Sequence, residues 1–132
     1  MSEASPDAGR TRCECTIPIL SVTDLQATID YFVRVLGFKK DFDSPEFASV
    51  SRNGSAIYLS RGGQGQPGAW VWMGVEDAEA IYQEYQASGA LIDHEPRNYP
   101  WALEFRVKDP DGNTLRIGSE PRTGEPYDQL LP

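Results

Sequence analysis

The sequence predicts an α+β domain built from two tandem βαβββ modules, with a curved mixed sheet around a ligand cavity. Three observations carry that reading. The order of apolar runs and turns is stated twice along the chain. Val22, Asp24 and Ala27 recur as Val75, Asp77 and Ala80 at a constant offset. The strand candidates also sort into one aliphatic face and one face that mixes aromatics with charges, because side chains alternate across a strand. At 132 residues the chain suits one domain. The expected boundaries are a flexible tail over 1–14, a domain over 15–118 and a second tail over 119–132. Within the domain, module one covers about 15–60, a linker 61–68 and module two about 69–118.

The elements follow in order. Thr16–Ser21 is a short, apolar, β-rich run. Thr23 and Gln26 then fit a capping box opening a helix, in which Leu25, Ile29, Phe32, Val33 and Leu36 fall at helical spacing and Gly37 stops it. Strands are expected at Phe38–Asp43, Phe47–Arg52 and Ser55–Ser60, the last two joined by the hairpin pair Asn53-Gly54. After the Gly/Gln/Pro linker the pattern restarts with a strand over Ala69–Val75. Asp77 then caps a helix carrying Ala78, Ile81, Tyr82 and Tyr85, which Gly89 ends. Leu91–Glu95, Ala102–Lys108 and Asn113–Gly118 complete the set, with Asp109-Pro110-Asp111-Gly112 as the last turn.

Composition narrows the function. The net charge of −8 opposes nucleic acid, whose recognition needs a basic stripe, and favours a cationic over an anionic ligand. No apolar run approaches the roughly 20 residues of a membrane helix, and the N-terminus carries no secretory signal, so a cytoplasmic location is expected. Cys13 and Cys15 are the only cysteines and read as reduced thiols. The one histidine, His94, in a polar segment, offers no nucleophile pairing, and Glu104 opposite Arg106 or Arg116 reads as a structural ion pair. No catalytic residue, cofactor or metal is expected.

The aliphatic strand face comprises Ala48, Val50, Ile57, Leu59, Val71, Met73, Val75, Leu103, Phe105, Val107, Leu115 and Ile117, and is expected to pack under the helices. The opposite face carries Phe47, Ser49, Tyr58, Trp70, Trp72, Glu104, Arg106, Thr114 and Arg116. Two tryptophans pointing one way make an apolar patch of the kind that binds a ligand or a partner.

These residues resemble the vicinal oxygen chelate superfamily of glyoxalase I, extradiol dioxygenases and fosfomycin- and bleomycin-resistance proteins, over roughly Thr16–Gly118. Within it they are most similar to the bleomycin-resistance proteins, through Ile17-Pro18-Ile19-Leu20, Tyr31-Phe32, Leu36-Gly37-Phe38, Glu46-Phe47-Ala48, Ala69-Trp70-Val71-Trp72, Pro100-Trp101, Glu104-Phe105 and Asp109-Pro110. Ala102-Leu103 departs from that group, which tends to have Gly-Arg there.

The resemblance implies a homodimer with two ligand sites between subunits, an exchanged N-terminal strand hinged near Pro18, and sequestration of a bleomycin-like drug, with or without bound copper, left unmodified; the alternatives are a metal-independent enzyme of the same superfamily or a binder of another small aromatic ligand. It implies that the drug's flat bithiazole stacks between Phe47 and Trp101, with an acidic cleft for its cationic tail. Ser49, Tyr58, Trp70, Trp72, Glu104 and Arg116 complete the expected ligand-binding set. Metal-using relatives place His or Glu at four strand positions that correspond here to Ile17, Tyr58, Trp70 and Arg116, and none of these can ligate a divalent ion.

Overall fold

The computed structural model describes residues 9–132. Module one comprises β1 (Ile19–Ser21), α1 (Leu25–Asp30), β2 (Lys39–Asp43), β3 (Phe47–Arg52) and β4 (Ser55–Ser60). Module two comprises β5 (Trp70–Gly74), α2 (Ala78–Ser88), β6 (Leu91–Asn98), β7 (Leu103–Lys108) and β8 (Thr114–Ser119). The two tandem βαβββ modules are present, and within one chain their strands divide into two four-stranded mixed sheets of the same order, β1-β4-β3-β2 and β5-β8-β7-β6. In each, the first strand runs parallel to the last and the other pairs are antiparallel. The first eight residues of the expected N-terminal tail lie outside the described residues. No helix among the described residues is long and apolar enough to cross a membrane.

The internal repeat read from Val22, Asp24 and Ala27 has a hydrogen bond behind each match. Val22 N–H donates to Ser60 and Val75 N–H to Gly118, both at 2.9 Å, closing each first strand onto its fourth. The Asp24 carboxylate accepts from Ala27 N–H at 3.0 Å, and the Asp77 carboxylate from Ala80 N–H at 3.1 Å. Asp24, not Thr23, is therefore the cap of α1, and the predicted capping box does not form. Thr23 Oγ1 instead donates to Asp111 at 2.7 Å, and Gln26 reaches forward to Asp30.

The first helix widens into a π turn over Tyr31–Val35 before Gly37 ends it at φ +76°, whereas α2 runs regularly to Gly89 at φ +86°. The stretch from Asp24 to Gly37 is one residue longer than that from Asp77 to Gly89. A π turn is how a helix absorbs such an insertion without losing its register on either side. Strand β1 is shorter than predicted and β6 longer, running through Glu95 to Asn98 with register shifts that accommodate Pro96.

The helix-facing sides of both sheets share one core. Phe32, Leu36, Ala48, Val50, Leu59, Tyr85, Phe105, Val107, Leu115 and Ile117 are all essentially inaccessible, and Val71, Met73 and Val75 pack against them from β5. Each fully buried large side chain contributes about 1.5–3 kcal/mol. The aliphatic strand face thus lies where the alternation placed it, and the mixed face of each sheet is left pointing away from the core.

The turn after β7 joins the modules. Buried Asp109 accepts from the backbone N–H of Asp111 and Asn113 and from the Asn113 side chain, all within 2.9 Å. Burial pushes its carboxyl pKa up, against these hydrogen bonds, which pull it down. The turn thus held, Asp111 accepts from Thr23, and Asn113 donates to Ser21 O at 3.1 Å. From the other side, Tyr31 in the π turn donates to Lys108 O at 2.7 Å and accepts from Leu91 N–H.

Candidate functional site

The two mixed faces differ in chemistry. On module one, register places Ile19, Tyr58, Ser49 and Phe42 in one row and Ser21, Ser60 and Phe47 in the next. Phe47 meets Tyr58 edge-on at 5.0 Å and lies nearly parallel to half-exposed Phe42 at 6.3 Å. Ser49 and Ser51 are buried because both hydroxyls donate to the Asp41 carboxylate, at 3.0 and 2.8 Å. This face is aromatic, with hydroxyls turned to an acid.

On module two, one row reads Trp70, Thr114, Lys108 and the next Trp72, Arg116, Arg106, His94. Cations therefore line up beside each tryptophan. The Arg106 guanidinium lies 5.0 Å and Lys108 Nζ 5.8 Å from the Trp70 ring, and Arg116 lies 5.4 Å from Trp72. These cation–π contacts hold rings that remain 55% and 52% exposed. Trp72 can lie flat because Gly118 has no side chain: a Cβ there would sit 2.4 Å from the indole.

Glu104 organises this face. It is 1% exposed, yet both carboxylate oxygens are engaged: Arg116 donates to them at 2.7 and 3.2 Å, and Trp101 Nε1 donates at 3.1 Å. Trp101 also lies parallel to buried Tyr99, with centroids 5.0 Å apart, and leaves its outer side open at 51% exposure. The indole is thus fixed before any ligand arrives. The ion pair anticipated from sequence forms, with a third member the sequence does not announce.

Phe47 and Trp101 do not stack on one another within the chain; each sits with neighbours of its own module. Ser49 is turned to Asp41, whereas Tyr58, Trp70, Trp72, Glu104 and Arg116 stand on the mixed faces where the alternation placed them. Within one chain these faces are open surfaces and not a closed cavity. A cleft of about 870 Å³ opens between β4 and β5, lined from the helix side by Pro18, Ile57, Val71 and Ile81 and also by Trp72 of the predicted set. Of the acidic lining expected for the site, module one offers Asp41, which already accepts from Ser49 and Ser51, while on module two three cations face a single carboxylate already in use. Tyr99 and Gly118 are the members that spacing alone does not single out.

Tyr58, Trp70 and Arg116 stand on β4, β5 and β8 and Ile17 lies just before β1, and none of the four offers a donor suited to a divalent ion. Among the described residues no three His, Cys, Asp or Glu side chains converge. Cys13 and Cys15 are exposed and free. These residues do not fit a divalent metal.

Residues 14–117 match the family model described as the glyoxalase/bleomycin resistance protein/dioxygenase superfamily. Among solved structures, the chain is similar to the bleomycin-binding protein of bleomycin-producing Streptomyces verticillus, complexed with copper(II)-bleomycin. The identity is 26% and the TM-score 0.73, over 83% of this chain and 98% of that one. A bleomycin resistance determinant encoded on the transposon Tn5 shares the fold at 20% identity and TM-score 0.72, over 82% and 98% of the chains. So does the antibiotic-binding protein TnmS3 of a Streptomyces species, at 21% and 0.68, over 83% and 99%. No curated protein sequence matches the chain.

Proposed function

This chain belongs to the glyoxalase/bleomycin resistance protein/dioxygenase superfamily, and we propose that within it the protein is a metal-independent binder that sequesters a planar, cationic glycopeptide antibiotic of the bleomycin class without modifying it. The observation that carries the reading is the preset Trp101. Its indole is locked by Glu104 and backed by Tyr99, and one broad side faces outward. A ring held this way loses little freedom on stacking a flat ligand, so more of the contact energy appears as affinity.

The second ring of the clamp is Phe47, supplied by a partner subunit, which makes the active form a homodimer. Half-exposed Trp70, Trp72, Trp101 and Phe42 are apolar area for that association and for the ligand to cover. The molecule's charge of −8 and the Asp41 side of module one draw a cationic ligand in, in a cytoplasmic setting.

Calorimetric titration with bleomycin, with and without copper on the drug, tests the reading. Phe47→Ala and Trp101→Ala should each weaken binding by about 1–3 kcal/mol with a smaller effect on folding. Val71→Ala, on the helix side, should lower stability and leave affinity nearly intact. Mass analysis should return the drug unchanged. Saturable binding that ignores both ring truncations, or a modified drug, would overturn the proposal.

A further inference from the structure

We infer that Asn98 is a positioning residue for the ligand site: it clasps residues 122–128, beyond β8, against the end of β6 and so holds the turn that presents Trp101. This rests on the reading of Trp101 as the ligand-stacking ring, and adds what fixes that ring from outside the open face.

Trp101 sits in a short turn between the paired residues Asn98 and Leu103 of β6 and β7. Tyr99 N–H closes that turn by donating to Ala102 O at 2.9 Å. β6 is the outer strand of its sheet, so its other edge has no strand to pair with. Strand ends and loop tips of this kind open most easily, because few contacts hold them. A ring carried there keeps one orientation only if something beyond the sheet ties the strand end down.

Asn98 supplies the tie. Its backbone exchanges two bonds with Asp128: Asn98 N–H donates to the Asp128 carboxylate and Asp128 N–H donates to Asn98 O, both at 2.7 Å. Its side chain does the same with the peptide groups of Arg122. Oδ1 accepts from Arg122 N–H at 2.8 Å, while Nδ2 donates to Arg122 O at 3.1 Å and to Pro126 O at 3.4 Å. Among neutral side chains only a carboxamide offers one acceptor and two donors in this way. Asn98 is 5% exposed, so a broken bond leaves a polar group unsatisfied and not hydrated. The clasp is secured in turn to the second helix, where Arg122 donates to Glu79 at 2.9 Å.

Preorganisation is what the clasp adds. Tyr99 follows Asn98 directly, is buried, and lies parallel to Trp101 with centroids 5.0 Å apart. With the strand end pinned, the Tyr99 ring is a fixed floor and the indole keeps its Nε1 on Glu104. With the clasp loosened, the turn gains freedom that a stacked ligand must remove again. Affinity then falls although every group that touches the ligand is still present.

The test uses the full chain. In a Trp70→Phe, Trp72→Phe background Trp101 is the one tryptophan left of three, and its time-resolved fluorescence anisotropy reports how firmly the ring is held. Asn98→Ala and Asp128→Ala should each add a fast depolarising component. Asp128→Asn keeps an oxygen for Asn98 N–H and should restore the slow decay. Arg122→Ala leaves its backbone bonds to Asn98 in place and should resemble the parent. With Trp70 and Trp72 intact, calorimetric titration with metal-free bleomycin should be about two- to tenfold weaker in Asn98→Ala, and that loss should vanish when Trp101 is already alanine. If Asn98→Ala does not fold, Asp128→Ala carries both expectations. A lower unfolding midpoint with unchanged Trp101 anisotropy, or an equal affinity loss with and without Trp101, overturns the positioning role. A chain that binds no bleomycin removes the drug reading alone, because the anisotropy still decides the clasp.

Discussion

Module one and module two share a backbone plan and diverge wherever a side chain leaves the common core. The turn between the third and fourth strands shows this most directly. In module one it is Asn53-Gly54, an exposed hairpin with φ of +50° and +82° that serves only its own strands. In module two it is Asp109–Asn113, folded around a buried carboxylate and reaching across to Thr23 and Ser21. The edge of each sheet repeats the contrast. Where module one has Ile19 beside Tyr58 and a buried Ser60, module two has Trp72 beside Arg116 and Gly118. What the difference teaches is that the repeated hydrogen bonds fix the scaffold, while one turn of the second copy carries the joint and one face of it gathers the cations and tryptophans.

The largest break of that comparison is Asp109→Ala. It leaves three donors unsatisfied at a buried turn and loosens the inter-module joint, so urea unfolding should show a loss of about 2–4 kcal/mol. Asn53→Ala, at the matching turn, should cost about 1 kcal/mol, because it strains only a left-handed position. Similar losses from both would mean the second turn is no joint.

Tyr85 sharpens the contrast next. It stands at the same offset from Phe32 that relates the two helix caps, and both rings are fully buried. Only Tyr85 carries a hydroxyl, which donates to Leu36 O at 2.7 Å across the joint. Burial pushes its pKa up from 10.0 to about 12, because the phenolate would lose its hydration. A pKa raised in the folded state means this stabilisation is complete below pH 10 and is lost as pH rises through about 12. The loss is on the order of 2 kcal/mol, and Tyr85→Phe should flatten that part of the pH profile. An unchanged alkaline slope in the variant would assign the dependence to another group.

The smallest expected effect is at Gly118. Alanine there drives the Trp72 ring off the sheet, because the new Cβ would meet the indole at 2.4 Å. Stability should fall by about 1 kcal/mol, with a shift in tryptophan emission, since the ring can swing outward into solvent. An unshifted emission spectrum would show that Trp72 does not lie on Gly118.

The sequence by itself determined the scaffold. Alternation in the strands, helical spacing on both helices and the Gly stops are local signals, and the core they predicted is the core observed except at Val33, which the first helix leaves exposed. Phe47 and the Glu104–Arg116 pair were legible for the same reason, once strand faces had been assigned, whereas Trp101, in the turn before β7, entered only through the family resemblance. Three things required the tertiary structure. The cap of α1 passed from Thr23 to Asp24 because Asp111, far along the chain, competes for the Thr23 hydroxyl. Trp101 acquired its fixed orientation from Tyr99 and Glu104 only when β7 and the turn before it were folded together. The cationic character of module two's open face was hidden by an acidic total, because net charge is a sum over the chain whereas a ligand meets only the side chains that register places in adjacent rows. Composition cannot report position, and the pairing of β5, β8, β7 and β6 is what turns scattered Lys and Arg residues into a surface.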